Sequence, residues 1–262
     1  MYWWRPAPPL TNRANFGDEL GPYLVEALFG LRTVWAESSA CEIAAAGSII
    51  EIMLSSKKNN RPVLWGSGMF YESSGAIAAD EFEVTAVRGV LTRARIKDVD
   101  PQVALGDPGL LAQVLVGAAP RKKHLLGLVP HFLDADLPAV TQLQTWPGVT
   151  VIDVTEPAPK VVREIAQCHY VLSSSLHGLI VADSVGTPNA YLALSNDTRI
   201  GGPNKFLDYY SVFADPDRQL CFPLAEVMCQ DTQSVIASLS RRYHPPTDLP
   251  AITDHLIRAF PW

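Results

Sequence analysis

The sequence lacks the features that mark exported, membrane-spanning and metal-binding proteins. None of its four cysteines belongs to a CxxC pair or a metal-type spacing, so we expect reduced thiols and no disulfide framework. No apolar run reaches the roughly 18 residues that span a bilayer, and no basic segment followed by an apolar core opens the chain. We therefore expect a cytoplasmic protein. The sequence leaves open a peripheral contact with the inner face of the membrane.

Positive charge is also scarce. Lys and Arg number 21 against 27 Asp and Glu, which gives a formal net charge of -6, and the basic residues form no stripe that could neutralise nucleic-acid phosphates. A Walker A run, a zinc motif and a nucleophile elbow are absent as well. We therefore expect no nucleic-acid partner, no metal and no cofactor, and the sequence indicates no oligomeric state.

Apolar residues, in contrast, are abundant. They make up 48% of the 262 residues, enough to bury more than one sheet. Strand-type and helix-type patterns alternate along the chain, which predicts an α/β fold of two doubly wound, Rossmann-like domains that face each other across a cleft. The pattern breaks near residues 116–124. We therefore predict domains over 1–118 and 119–245, and a C-terminal helix in 246–262 that is a candidate to pack back on the first domain.

The most informative stretch runs from Ser173 to Ile180. An apolar strand pattern precedes the turn Ser173-Ser174-Ser175 and a helix pattern follows it, with His177 in the first helical turn. The N-H groups that open a helix have no internal partner and the helix dipole is positive there, so this turn can seat a phosphate or carboxylate. The alternative is that the serines only cap the helix and His177 packs in the core.

Further polar residues follow other predicted strands or open helices. Because parallel strands end at one edge of their sheet, we expect Asn15, Asp18, Ser67, Arg88 and His131 to lie at the cleft. Arg88 is either a buried ion-pair partner or a clamp for a carboxylate or phosphate. Asp18 and Asp107 are expected to be helix N-caps. Lys205 follows a Gly-rich loop of the kind that orders over a ligand.

Several short motifs follow one another as they do in the polysaccharide pyruvyl transferases, over roughly residues 1 to 215. The sequence most resembles the xanthan-type ketal pyruvyltransferases of exopolysaccharide synthesis. The motifs are Asn15-Phe16-Gly17-Asp18, Trp65-Gly66-Ser67-Gly68, Ala86-Val87-Arg88-Gly89, Gly106-Asp107-Pro108-Gly109-Leu110-Leu111, Val129-Pro130-His131 and Ser173-Ser174-Ser175-Leu176-His177-Gly178. The resemblance implies a GT-B-like fold, phosphoenolpyruvate as donor, and a sugar of a lipid-linked oligosaccharide as acceptor.

The resemblance also implies roles for individual residues. His177 would be the general acid or base, Arg88 would hold the donor's carboxylate or phosphate, and Asn15, Gly17 and Asp18 would hold the acceptor sugar. The remaining donor-binding residues would be Ser67, Gly68, His131, Ser173, Ser174, Ser175, Leu176, Gly178 and Lys205. Many family members carry Arg where this chain has Ser175, so another cation must replace it; the candidates are Arg88, then Arg199 and Lys205.

Two other functions remain open at this point. A GT-B nucleotide-sugar glycosyltransferase would use the same two-domain cleft, and Glu156 and Glu164 stand eight residues apart, as in some enzymes that hold the donor ribose. Glu164, however, is expected on an exposed helix face. A non-catalytic sugar- or phosphate-binding protein would bind a donor without releasing phosphate. The two histidines predicted at the cleft, His131 and His177, favour an enzyme over simple binding.

Overall fold

The structure is a computed structural model. It describes residues 1–6, 14–56, 60–70, 75–78, 80–118, 120–195 and 202–262. The strands are β1 (Ile43–Ala45), β2 (Val63–Ser67), β3 (Glu83–Val87), β4 (Ala104–Leu105), β5 (His124–Val129), β6 (Val149–Val151), β7 (Cys168–Ser173), β8 (Asn189–Ala193) and β9 (Cys221–Pro223).

The helices connect these strands and close the chain. They are α1 (Phe16–Phe29), α2 (Ile50–Leu54), α3 (Val90–Arg93), α4 (Pro138–Gln144), α5 (Ala158–Ala166), α6 (Leu176–Ser184), α7 (Asn204–Tyr210), α8 (Leu224–Met228), α9 (Thr232–Arg242) and α10 (Leu249–Arg258). Two 3₁₀ helices span Pro108–Leu115 and Pro216–Arg218. Across the described ranges, none of the helices combines the length and apolar character needed to cross a bilayer.

Two parallel sheets confirm the predicted α/β class. The first has the strand order β1-β2-β3-β4 and the second β6-β5-β7-β8-β9. In the second sheet the winding direction reverses between β5 and β7, and open α/β sheets bind ligands at such a reversal, beyond the carboxyl ends of the strands. His131 follows β5 and the serine turn follows β7. The topology therefore explains why these predicted site residues lie together.

One apolar cluster lies between the two sheets and draws on both. It contains Ile43 and Trp65 from the first sheet, Val129 and Val171 from the second, and residues of α1, α5, α6, α10 and the longer 3₁₀ helix. Ala44 and Leu172 follow Ile43 and Val171 along their strands, and each belongs to a separate apolar cluster on the outer face of its sheet. Successive side chains of a strand point to opposite faces, which explains this alternation. The two sheets thus share a central layer of helices. The domain boundary at 118/119 stays a prediction.

The C-terminal helix α10 packs against β4 and the longer 3₁₀ helix. The indole Nε1 of Trp65 donates a hydrogen bond of 2.8 Å to the carbonyl oxygen of Leu256. The ring of Phe260 stacks on Phe29 with centroids 3.8 Å apart. The last helix is therefore attached to the first sheet and to α1 through buried contacts.

We predict that Leu256→Ala destabilises the protein by about 2–5 kcal/mol, because the side chain is fully buried in the central cluster and its loss leaves a cavity. The neighbouring Ile257 is 39% exposed, and Ile257→Ala should change the free energy of unfolding by less than about 0.5 kcal/mol. Urea denaturation measures both. Equal effects of the two substitutions would contradict the docking of α10.

Candidate functional site

A cavity of about 390 Å³ lies where α1, α6 and α7 meet the ends of β5 and β7. Seven predicted site residues line it: Asn15, Asp18, His131, Ser175, Leu176, His177 and Lys205. The other lining residues are Trp4, Ser48, Ile49, Glu51, Ile52, Phe70, Phe132 and Leu133. The lining excludes the predicted residues Gly17, Ser67, Gly68, Arg88, Ser173, Ser174 and Gly178. The structure therefore divides the predicted set into residues that face the cavity and residues behind it.

Lys205 brings a buried cation to the cavity. Its side chain lies in α7 and is 4% exposed, with Nζ 5.2 Å and 5.8 Å from the ring centres of Phe206 and Phe70. Burial, with a smaller contribution from the positive charge of Arg88, lowers the pKa of Lys205 to about 7. Among the described residues no oxygen accepts a hydrogen bond from Nζ. A bound anion would supply the missing acceptors.

His177 lies in the first turn of α6, pressed against α1. A Cβ added to Gly17 would overlap the imidazole ring, so the glycine lets the ring approach the helix backbone. The ring atom Nε2 is 3.6 Å from Oδ2 of Asp107. Neither of these buried atoms has a hydrogen-bond partner in the described part of the chain. The other carboxylate oxygen, Oδ1, accepts a 2.8 Å hydrogen bond from the Gly109 N-H, which confirms Asp107 as a helix N-cap.

Asp18 and Asn15 form a hydrogen-bonded pair on the cavity wall. Nδ2 of Asn15 donates to Oδ2 of Asp18 at 2.6 Å. Burial raises the pKa of Asp18, while His177, Asn15 and Lys205 act in the opposite direction. The prediction that Asp18 caps α1 is wrong, because the helix begins at Phe16 and Asn15 occupies the N-cap position. The carboxylate is therefore available to the cavity.

Two of the three serines hold the turn together. Oγ of Ser173 contacts the carbonyl oxygens of Val129 and Ser175 at 2.9 and 2.8 Å. Oγ of Ser174 accepts from the His131 N-H at 2.8 Å and donates to Asp134 Oδ2 at 2.7 Å. These contacts fix the turn from behind.

Ser175 differs from the other two serines. It occupies the N-cap position of α6, makes no side-chain cap bond and lines the cavity. Gly178, one turn further along α6, leaves room for Ser173, since an added Cβ would overlap that hydroxyl. Of this turn, the cavity therefore receives Ser175, Leu176 and His177.

His131 enters the cavity from the end of β5. Its Nδ1 accepts a hydrogen bond of 3.3 Å from the Leu133 N-H, which fixes the ring orientation. The ring centre lies 4.5 Å from that of Phe132, and the Phe132 ring lies 5.7 Å from Trp4. One wall of the cavity is therefore aromatic.

Arg88 lies behind the cavity as an ion-pair partner. The side chain is 1% exposed, and its Nε donates to Oδ2 of Asp208 at 3.0 Å. Its two terminal nitrogens donate to the Ser48 hydroxyl at 2.6 Å and to the Met69 carbonyl oxygen at 2.7 Å. This geometry favours the ion-pair interpretation over the clamp.

The residues around Arg88 serve the same packing. Gly68 makes room for the guanidinium, because an added Cβ would overlap it. Ser67 is fully buried, and its hydroxyl lies 3.5 Å from the Ala46 carbonyl oxygen. Of the candidates for the missing arginine, Lys205 alone is both described and in the cavity lining, and Arg199 lies outside the described residues.

Sequence reasoning missed part of the lining. Ser48 follows the small-residue end of β1, which is the only signal that pointed to it. Glu51 accepts a 2.7 Å hydrogen bond from the Phe70 N-H, and Trp4 and Phe132 meet from separate segments. No local pattern marks these three positions. Within the described ranges, no group of three or more His, Cys, Asp or Glu side chains could hold a metal ion.

The carboxylates that suggested a nucleotide-sugar donor do not reach the cavity. Glu156 and Glu164 both lie near Lys160, with Nζ to Oε1 distances of 2.9 and 4.0 Å. All three side chains are at least one third exposed. Glu164 lies on α5, as expected for an exposed helix face, and together with Glu156, which precedes α5, it forms a surface ion-pair group with Lys160.

The cavity lies at a topological switch point of a parallel sheet, which is where open α/β proteins typically bind small ligands. The model of the polysaccharide pyruvyl transferase family matches residues 15–196, more than half of the chain. The chain therefore belongs to that family, which confirms the resemblance noted in the sequence. The matched region contains every cavity-lining residue except Trp4 and Lys205.

Two relatives align over most of the chain. An uncharacterized protein, L143, of Acanthamoeba polyphaga mimivirus is 28% identical over 209 residues, covering 76% of this chain and 71% of the relative. The succinoglycan biosynthesis protein ExoV of Rhizobium meliloti (strain 1021) is 27% identical over 230 residues, covering 87% and 70%.

We predict that Arg88→Ala lowers the free energy of unfolding by about 3–5 kcal/mol, because it leaves the buried Asp208 carboxylate without its counter-charge. The matched control is Arg258→Ala, which removes an exposed ion pair with Asp254 and should cost no more than about 1 kcal/mol. Denaturant titration compares them. A fully stable Arg88→Ala protein would instead support a ligand-facing arginine.

Proposed function

We propose that this protein transfers pyruvate from phosphoenolpyruvate onto two hydroxyls of one sugar, forming a cyclic ketal on a lipid-linked exopolysaccharide repeat unit. Family membership supports pyruvyl transfer, and the relative named for succinoglycan biosynthesis supports a polysaccharide acceptor. The observation that carries the proposal is the burial of Lys205, without a hydrogen-bond acceptor among the described residues, in the cavity that also holds His177.

The donor has two anionic groups, a phosphate and a carboxylate. Lys205 provides a positive charge for one of them, and the N-terminus of α6 provides N-H groups and the positive end of the helix dipole for the other. The hydroxyl of Ser175 lies beside these N-H groups. Lys205, which lies on α7, supplies the positive charge that an arginine at the position of Ser175 supplies in many family members.

The acceptor sugar would lie along the wall of the cavity formed by the Asn15–Asp18 pair and the aromatic rings of Trp4 and Phe132. The Asn15–Asp18 pair offers an amide and a carboxyl for sugar hydroxyls. Trp4 and Phe132 offer aromatic surfaces for the apolar face of the ring. This arrangement would direct two hydroxyls of one sugar toward the donor.

The chemistry assigns one proton transfer to His177. Protonated His177 gives its proton to the methylene carbon of phosphoenolpyruvate, which becomes a methyl group and leaves the adjacent carbon electrophilic. One sugar hydroxyl attacks that carbon, phosphate departs, and the second hydroxyl closes the ketal. The two hydroxyl protons balance the reaction: one restores the imidazolium and the other leaves with phosphate.

We predict that phosphoenolpyruvate binds about tenfold more weakly for each pH unit above about 7, because Lys205 loses its proton there. Binding weakens as the pH rises because the charged form of Lys205, which attracts the donor, exists only below the lowered pKa of this residue. Lys205→Met should weaken binding by about 10- to 100-fold at pH 6.5, as expected for a lost charged hydrogen bond, and remove this pH dependence. Isothermal titration calorimetry measures both effects.

The matched control is Lys160→Met, which removes an exposed lysine on α5 that is not part of the cavity lining. It should leave the affinity and its pH dependence unchanged. An unaltered affinity in Lys205→Met would contradict the donor site. A nucleoside diphosphate that binds more tightly than phosphoenolpyruvate would support the glycosyltransferase instead.

We predict that His177→Ala lowers acceptor-dependent phosphate release by about 10²- to 10⁴-fold, the usual loss for a general acid or base. Phosphoenolpyruvate should still raise the melting temperature of this variant, since Lys205 is intact. Near-normal turnover would rule out the role of His177. Binding of phosphoenolpyruvate by the wild type without phosphate release in the presence of any acceptor would favour the non-catalytic binding protein.

A further inference from the structure

We propose that Asp107 is a positioning residue that keeps neutral His177 in the tautomer with its hydrogen on Nε2, so that Nδ1 is the nitrogen that exchanges a proton with the ligand. This inference rests on the proposed function for the identity of the reaction. The pairing of the two residues stands on geometry alone.

The first observation is that two buried polar atoms face each other without partners. Nε2 of His177 and Oδ2 of Asp107 are 3.6 Å apart, and neither makes a hydrogen bond within the described ranges. Buried polar groups are almost always hydrogen-bonded, because leaving them unpaired is costly. Shortening this distance by about 0.7 Å would bring the pair to a normal hydrogen-bond distance of about 2.9 Å and satisfy both atoms.

The second observation is that the carboxylate cannot turn away. Its other oxygen, Oδ1, accepts the Gly109 N-H at 2.8 Å and caps the 3₁₀ helix that begins at Pro108. Asp107 is fully buried. The cap therefore fixes the orientation of the carboxylate and leaves Oδ2 directed at the imidazole. A carboxylate only accepts hydrogen bonds, so it selects the ring tautomer with hydrogen on Nε2.

The third observation concerns the opposite ring nitrogen. Because Nε2 is buried against Asp107, it cannot meet a ligand. Nδ1 is the ring atom that comes nearest to a Cβ added at Gly17 of α1, and His177 lines the cavity together with Asn15 and Asp18. When Nε2 carries the hydrogen, Nδ1 has a free lone pair and can take up and deliver a proton.

Other charges also act near this ring. Asp18 on α1 interacts electrostatically with His177, with Lys205 of α7 and with Asp107. A pH titration of His177 would therefore not separate the effect of Asp107 from that of the other charges. The position of the hydrogen on the neutral ring does separate it.

The test is ¹⁵N NMR of the imidazole of His177 in the full-length protein without ligand, assigned by its loss in His177→Ala. The wild type should show the hydrogen on Nε2. In Asp107→Asn the side-chain oxygen can keep the cap, so the amide NH₂ faces the ring and the hydrogen should move to Nδ1. A wild-type spectrum with the hydrogen on Nδ1 would overturn the proposal, and so would an unchanged tautomer in a folded Asp107→Asn protein.

The matched control is Asp100→Asn. Like Asp107, Asp100 accepts a hydrogen bond from the backbone N-H two residues later in the chain. The donor is Gln102, the distance is 2.8 Å, and the turn is exposed. The substitution should change neither the tautomer nor turnover.

Kinetics provide the second measurement. Asp107→Asn should lower kcat for pyruvyl transfer by about 10²-fold or more, with little change in KM for phosphoenolpyruvate, because proton transfer is impaired and binding is not. If the hydrogen moves to Nδ1 in Asp107→Asn and kcat is unchanged, the inference that this tautomer matters for proton transfer is wrong. If the wild type shows the expected tautomer and transfers no pyruvate to any acceptor, the proposed function fails while the Asp107–His177 pairing stands.

Discussion

The packing of α1 between the two sheets is the constraint on which the site depends. Phe16, Leu20 and Leu24 are fully buried in the cluster shared by both sheets. The Phe16 N-H donates to the Val154 carbonyl oxygen at 2.9 Å, which ties the start of the helix to the second half of the chain. This contact brings Asn15 and Asp18 next to His177, more than 150 residues away in sequence. The cavity exists because the two halves share one apolar layer.

The buried charges of this protein fall into two groups. Arg88 pairs with Asp208, and Asp183 accepts two hydrogen bonds from Arg218 at 2.8 and 3.0 Å. These charges have their partners and hold α7 and the end of α6 in position. Lys205 and the facing edges of His177 and Asp107, in contrast, lack hydrogen bonds among the described residues. Since unpaired buried polar groups are costly, Lys205 is a buried charge that remains available for a ligand, whereas the facing atoms of His177 and Asp107 are available to each other.

The fold class followed from sequence because its signals are local. Each of these signals depends only on residues close by in the sequence. They are the apolar strand patterns, the Gly and Pro residues that end helices, and Asp107 at the start of a helix. The strand-end rule also brought together five residues of the cavity lining, since parallel strands end at the same edge: Asn15, Asp18, His131, Ser175 and His177.

The failures involve contacts that are distant in sequence. Arg88 meets Asp208 across 120 positions, and no nearby residue signals that pairing. Asp18 resembles an N-cap until the helix start at Phe16 is known. Trp4 and Phe132 form the aromatic wall only after both halves have folded, and the orientation of the His177 ring depends on Gly17 and Asp107 together.

The most direct test of the account is a crystal structure of the protein with phosphoenolpyruvate bound. We expect the ligand in the cavity, with one anionic group within hydrogen-bond distance of Lys205 Nζ, the other at the N-terminus of α6, and its methylene carbon facing Nδ1 of His177. Phosphoenolpyruvate bound outside this cavity, or with Lys205 not in contact with it, would contradict the account.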